Sequence, residues 1–345
     1  MHMKLNVARV RNLALPILLW LTWSAAQALG QSYQNQGQRA CNTGRQNRVT
    51  MNEAVYQVVT DRIIALLEKG VIPWHQPWNC GEQAPQNLLS RKAYRGVNVF
   101  LLQSMHYASP FWLSYKQAQD LGGHVKRGEK GCPVIFWRWL DTKDKATGET
   151  QRVPLLRYYT VFHVSQCEGI PADKIPALKG SERQHSPLEQ AEKIVAAMPK
   201  RPEIKQGLDR AFYSPAGDFV GIPSANQFKT GEDYYSVLFH ELTHSTGHQS
   251  RLNRKGFAGT DGDWSAFGST PYAREELVAE MGAAFLCGQV GIVERTIENS
   301  AAYVGSWLKR LKDDAKLVVQ AAAQAQKAAD WILAKQWQDE PSAES

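Results

Sequence analysis

The pentapeptide His240-Glu241-Leu242-Thr243-His244, an H-E-x-x-H pattern, constrains this 345-residue chain more than any other stretch. On a helix, residues four apart leave the same face one turn from each other. His240 and His244 therefore present two imidazoles at the spacing that grips one divalent ion. Glu241, beside them, is placed to act as general base toward a water molecule. Val237, Leu238 and Leu242 give the same helix an apolar side, so the histidines face a cleft.

Two histidines do not complete a metal site. Downstream, Glu276 and Glu280 stand four apart in Glu275-Glu276-Leu277-Val278-Ala279-Glu280-Met281-Gly282-Ala283-Ala284, a run otherwise rich in apolar and small residues. Two carboxylates on one face of a half-buried helix are costly unless a cation meets them. Glu276 is therefore assigned as third ligand, and Glu280 as an acceptor that orients a ligand histidine. Glu275, next door on a different face, is the register alternative. Zn2+ suits this donor set, and Mn2+ or Co2+ fit it as well. His248 and Tyr272 are candidate donors to a developing oxyanion.

An H-E-x-x-H followed by E-x-x-x-E, here Glu276 to Glu280, resembles the gluzincin metallopeptidases. In that family the first downstream glutamate binds zinc and an acidic residue four later supports a histidine. The flanks narrow the resemblance. Asp218-Phe219-Val220-Gly221-Ile222-Pro223, then Ser245-Thr246-Gly247-His248 after the motif, then Ser250-Arg251-Leu252-Asn253-Arg254, look like the metallopeptidase domain of ArdC-type antirestriction proteins.

The charge is unevenly placed. Residues 51–180 carry 16 Lys and Arg against 11 Asp and Glu, whereas residues 181–345 carry 18 against 22. The basic part is thus separate from the part with the metal motif, which points to an anionic partner for the first half. That half interleaves Trp74, Tyr94, Arg95, Trp112, Lys116, Lys126, Arg127 and Lys130. Aromatic faces that stack on unpaired bases, with cations along the phosphates, hold single strands. The same residues also suit a core of aromatics under a solvated charged face, and the residue types alone leave both readings open. Trp137 and Trp139 alternate with Arg138 and are expected in the core.

The order Pro73-Trp74, Asn87, Tyr94-Arg95-Gly96-Val97-Asn98, Trp112, then Gly122 to Gly131 resembles the N-terminal domain of ArdC-type proteins, which also occurs in plasmid primases. The resemblance spans about residues 52–290 and implies a single-stranded-DNA partner, with Asn87 and Asn98 joining the DNA-binding candidates. No G-x-x-x-x-G-K-[ST] loop is present, so nothing supports an NTP partner.

The expected fold class is α+β: a small α+β single-stranded-DNA-binding domain over 51–168, a linker over 169–188, and a mainly helical zincin-like metallopeptidase domain over 189–338. Residues 339–345 read as a disordered tail. Residues 1–28 resemble a secretory signal, with Lys4, Arg9 and Arg11 ahead of an apolar run and Ala26-Gln27-Ala28 after it. The run is short for a stable membrane span. Residues 29–50 read as disordered, making 1–50 an N-terminal extension, and a start at Met51 would place the protein in the cytoplasm. The five scattered cysteines form no C-x-x-C pair, which fits a reducing compartment.

Helices are expected over 52–69, from Tyr94 to Met105, over 114–121, over 187–198 and over 299–338, with strands over 134–139 and 157–164. Residues 210–214 and 218–222 read as a hairpin; the resemblance to zincins implies an edge strand above the metal helix that can pair with an extended peptide, and Phe219–Ile222 is its candidate. Three functions compete: an antirestriction protein that binds single-stranded DNA, with a restriction enzyme or other protein as a further partner; a DNA-associated metalloprotease with a protein substrate; and a binding protein whose metal is structural.

Overall fold

The computed structural model describes residues 51–75, 84–143, 150–177, 186–254, 270–292 and 300–335. The expected N-terminal extension and C-terminal tail lie outside the described residues, as does the Gly-, Asp- and Ser-rich stretch 256–269, which reads from the sequence as a loop bordering the cleft.

The first element, α1 (Met51–Leu67), buries Val55, Val59, Ile63 and Leu67, a stripe at three- and four-residue spacing. A 3-10 turn follows (Pro73–His75), then β1 (Gln86–Asn87), α2 (Val97–Gln103) and β2 (Phe111–Ser114). Ser114 and Gln117 form a capping box that starts α3 (Tyr115–Asp120). After β3 (His124–Val125), two long strands, β4 (Cys132–Lys143) and β5 (Thr150–His163), pair antiparallel from Cys132 opposite Val161 to Lys143 opposite Thr150. The sheet order is β1-β2-β5-β4, which leaves β4 on its edge. A short β6 (Cys167–Glu168) pairs with β3.

The second half begins with α4 (Pro187–Ala197), capped by the Ser186 side chain. Strands β7 (Glu203–Gln206), β8 (Phe212–Ser214) and β9 (Phe219–Ile222) form a sheet of order β7-β9-β8. The hairpin of β8 and β9 is as expected, but β9 is central. Both its edges are taken, by β7 in parallel and β8 antiparallel, so it has no free edge for a peptide. The helices α5 (Gly231–Ser245), α6 (Thr270–Val290), α7 (Ser300–Asp313) and α8 (Leu317–Ile332) complete the fold. The single helix expected over 299–338 is broken at 314–316, where Asp314 Oδ1 accepts from the Lys316 N–H.

Helix α6 is buried almost all round from Leu277 to Val290 and packs along both α5 and α8. One hydrophobic core runs from α1 through α6 to α8. It joins the two halves: Trp74 meets Trp307 edge-on with ring centroids 5.3 Å apart, and Phe100 stacks on Phe285 at 4.6 Å. Among the described residues no helix is long and apolar enough to cross a membrane. The mixed helix-and-sheet order expected from the sequence is the order observed.

Candidate metal centre

Helix α5 starts where the Thr230 side chain accepts from the Asp233 N–H, and Glu232 and Asp233 complement its N-terminal dipole. It buries Leu238, Phe239, Leu242 and Thr243, which turns His240 and His244 toward α6. Helix α6 lies close because of Gly282. A Cβ there would come within 2.4 Å of Thr243 Cγ2 and 3.1 Å of Thr243 Cβ. Thr243 cannot swing away, because its hydroxyl donates to the Phe239 carbonyl at 2.7 Å. Gly282→Ala is therefore expected to cost about 1–3 kcal/mol of stability by overpacking. It should also weaken metal binding by parting the two ligand helices, and paired thermal and metal titrations read both effects.

The approach of α6 brings Glu276 to the histidines. One ligand atom each from His240, His244 and Glu276 lie within 4.8 Å of one another. The two Nε2 atoms are 3.1 Å apart; Glu276 reaches His240 Nε2 at 3.5 Å and His244 Nε2 at 3.6 Å. Four bonds of about 2.0–2.1 Å in a tetrahedral set put neighbouring donors about 3.3 Å apart. The observed separations bracket that spacing, so these residues fit an ion. The three side chains are 13–15% exposed, so the cluster is open to solvent on one side. Glu241 is buried at 9% on the same turn as His240.

The electrostatics also call for a cation. Burial works against a charged His240, but the hydrogen bond to Glu276 and the fields of Glu241, Glu280 and Glu276 outweigh it and push the ring up to about 10. Burial likewise opposes an ionised Glu276, yet His240, His244 and a hydrogen bond from Tyr272 hold it down to about 2. A site lined by carboxylates draws a proton onto an imidazole when no ion supplies the positive charge.

The supporting residues differ from those expected. Glu280 is not within hydrogen-bonding reach of His240 or His244: its Oε2 is 2.9 Å from His75 Nε2, and among the described residues the buried His240 Nδ1 has no hydrogen-bond partner. Glu275 supports His244 instead, with Oε1 3.3 Å from Nδ1. Burial would raise Glu275, but the Arg254 guanidinium, followed by His244, holds it below the usual carboxylate range. Arg254 is 8% exposed, pairs with Glu275, and also donates to the Thr243 and His244 carbonyls and to Thr246. Sequence reasoning missed Arg254 and His75. The one signal for Arg254 was the cation-bearing run Ser250 to Arg254 close after the motif.

The two oxyanion candidates have other partners. Tyr272 donates to Glu276. His248 Nδ1 accepts from the Ser250 N–H at 3.2 Å and lies 3.8 Å from Asp218, which Arg251 holds in a bidentate pair.

In the first half, burial divides the DNA-binding candidates. Trp74 and Trp112 are each 1% exposed and lie in the core, so neither offers a face to a base. Asn98 is buried and exchanges two hydrogen bonds with the Ile135 backbone, which ties α2 to β4. Asn87 caps the turn at Leu89 and Ser90 and bonds Gln117. Tyr94 packs against the core, and Arg95 pairs with the buried Asp330 of α8. Lys116, Lys126, Arg127 and Lys130 are exposed. Trp137, expected inside, is 45% exposed, while the side chain of Trp139 lies outside the described residues.

Comparison with known proteins follows the same division. The family of zincin-like metallopeptidases matches residues 189–324, and the N-terminal domain of anti-restriction factor ArdC matches residues 53–162. A DNA primase TraC of Escherichia coli is 36% identical over 301 residues, which cover 81% of this chain and 27% of TraC. The chain thus spans about a quarter of that relative's length. The uncharacterized protein y4eC of Sinorhizobium fredii is 35% identical over 297 residues, covering 82% of this chain and 92% of y4eC. The metal-free crystal structure of the antirestriction ArdC protein from R388 plasmid superposes with a TM-score of 0.64 at 38% identity, covering 81% of this chain and 97% of that one. A Mn(II)-bound structure of the same protein matches with a TM-score of 0.64 at 37% identity. The convergence of H-E-x-x-H and Glu276 behind an ArdC-like N-terminal half, matched along nearly the whole length of a solved ArdC protein, places this chain in the ArdC family of antirestriction proteins.

Proposed function

We propose that this protein binds single-stranded DNA through its N-terminal half and holds one divalent ion at His240, His244 and Glu276, and that it protects incoming plasmid DNA from restriction. Zn2+ is the ion the two imidazoles and one carboxylate favour, and Mn2+, the ion of the related R388 structure, suits the same donors. The observation that carries the reading is the convergence of the three donors beside the buried Glu241. When bound, the ion supplies Lewis acidity toward a carbonyl oxygen. Glu241 accepts the proton that an attacking water gives up, with His240 beside it on the same helix. Arg254 and Glu275 fix the His244 ring, and Tyr272 fixes the Glu276 carboxylate.

Glu241→Gln is expected to leave one ion per chain and to lower any peptide hydrolysis by about a hundredfold or more, the scale of a lost general base. Metal analysis and transfer of plasmid DNA into a restricting host, set against a non-restricting host, read the outcome. If Glu241→Gln protects DNA as well as the wild type while Glu276→Ala abolishes protection, the metal is structural. If a metal-free preparation protects fully, the centre plays no part in protection.

A further inference from the structure

The hairpin of β4 and β5 carries exposed aromatic rings on both of its faces. Partners directly opposite in an antiparallel pair share a face. Ile135 lies opposite Tyr158, and Trp137 two residues on lies opposite Leu156, so Tyr158 and Trp137 share one face. Val134 lies opposite Tyr159 and Phe136 opposite Arg157, so Tyr159, Phe136 and Arg157 share the other. Residues 157–160 are exposed in succession, with Tyr158 at 46% and Tyr159 at 47%, and Trp137 is 45% exposed. A strand packed on a core hides every second residue. Here Leu156 on one face and Val134 on the other are buried, yet exposed rings stand beside them on both faces. Large aromatics held out in that way mark a binding surface.

The charge around them selects the partner. Arg157 stands on the ribbon opposite Phe136. At its base the exposed turn with Lys126, Arg127 and Lys130 runs into β4 through Gly131, where a Cβ would meet Thr160 Cγ2 at 2.4 Å and the Val161 carbonyl at 2.8 Å. Cations thus stand on the ribbon and at its base, beside the exposed aromatics. A phosphate backbone with unpaired bases has both complements, negative charge and free ring faces.

We infer that Tyr158 and Trp137 on one face of the ribbon, and Tyr159 on the other, are the base-stacking platform for single-stranded DNA, with Arg157 and the basic turn following the phosphates. The inference rests on the single-strand reading above and moves its aromatic contacts from Trp74 and Trp112, which are buried, to the ribbon.

The test is fluorescence anisotropy of a labelled single-stranded oligothymidylate against the full chain across a range of salt. Tyr158→Ala and Trp137→Ala are each expected to weaken binding about tenfold, the scale of one lost stacking contact. Their salt dependence should stay that of the wild type. Tyr158→Phe, which keeps the ring, should bind as the wild type does. Arg157→Ala should lower the slope of log affinity against log salt by about 0.7. Wild-type binding left within about twofold by both alanine variants overturns the platform and leaves the single-strand reading standing. A wild type that binds no oligothymidylate overturns both. Sedimentation covers a competing occupant: a dimer that Tyr158→Ala turns into a monomer, with DNA affinity unchanged, gives the ribbon to a second copy and overturns the proposal. Should the alanine variants lose the fold by circular dichroism, photocrosslinking of a bromodeoxyuridine strand to the wild type decides the matter. Crosslinks within 132–163 support the platform, and crosslinks confined to other segments overturn it.

Discussion

Trp74→Ala is expected to destabilise the protein by about 3–5 kcal/mol, the cost of emptying a fully buried aromatic site. The indole is 1% exposed and touches Phe100 and Trp307 edge-on, at 6.3 Å and 5.3 Å between centroids. It fills the seam where the segment after α1 meets α7, so its loss opens a cavity shared by both halves. For a chain of this size the midpoint of thermal unfolding should fall by about 10 °C. Trp74→Phe separates volume from polarity. Among the described residues the buried Trp74 Nε1 has no hydrogen-bond partner, and an unmet donor costs about 1–3 kcal/mol. Removing it offsets part of the lost packing, so Trp74→Phe should lie well above Trp74→Ala in stability. Per folded molecule, neither variant should change affinity for single-stranded DNA. Normal stability of Trp74→Ala together with weakened DNA binding would mean that the indole reaches a nucleotide after all.

That contrast shows where residue types stop informing. Along the chain Trp74 and Trp112 read as DNA-binding candidates and Trp137 as core. The first two are core and the third is exposed, and only the path of the chain decides which. Elements with a local cause were legible. The apolar stripe of α1 and the adjacent strands of the β8–β9 hairpin needed no distant partner to be read. What failed was long-range. Strand β9 was assigned as an edge by resemblance to zincins, yet β7, Glu-Ile-Lys-Gln, which carries no strand pattern, pairs with it in parallel. The donor cluster follows the spacing that coordination dictates within each helix: the sequence put Glu276 with His240 and His244, and one donor atom from each lies within 4.8 Å of the others. The supports of these residues were not legible. His75 lies 205 residues from Glu280, and Arg254 lies 21 residues from Glu275. Nothing in local periodicity announces such pairs. A helix with three glutamates in six residues can be assigned one metal-binding carboxylate, but which cation meets each of the others is a property of the fold.

Helix α6 ties metal binding to the stability of the whole molecule. It carries Glu276 to the proposed ion site and Glu280 to His75, and its far side supplies Leu277, Met281, Ala284 and Phe285 to the common core. An ion that binds the folded state alone stabilises it by about 4 kcal/mol when present at about a thousand times its dissociation constant. Because α6 is shared, that gain should appear in a single unfolding transition that includes the tryptophans of both halves, not in a local one. Chelation of purified, metal-loaded protein is therefore expected to lower the unfolding midpoint by about 8 °C or more, and readdition of Zn2+ or Mn2+ to restore it. Glu276→Gln should abolish the metal-induced rise, since it removes one of the three donors. His75→Ala should behave differently. It strips the partner from Glu280, which is buried at 5%, and so should lower the metal-free midpoint as well. Two separated transitions, with only one responding to metal, would mean that the halves unfold independently and that the seam of Trp74, Trp307, Phe100 and Phe285 does not couple them.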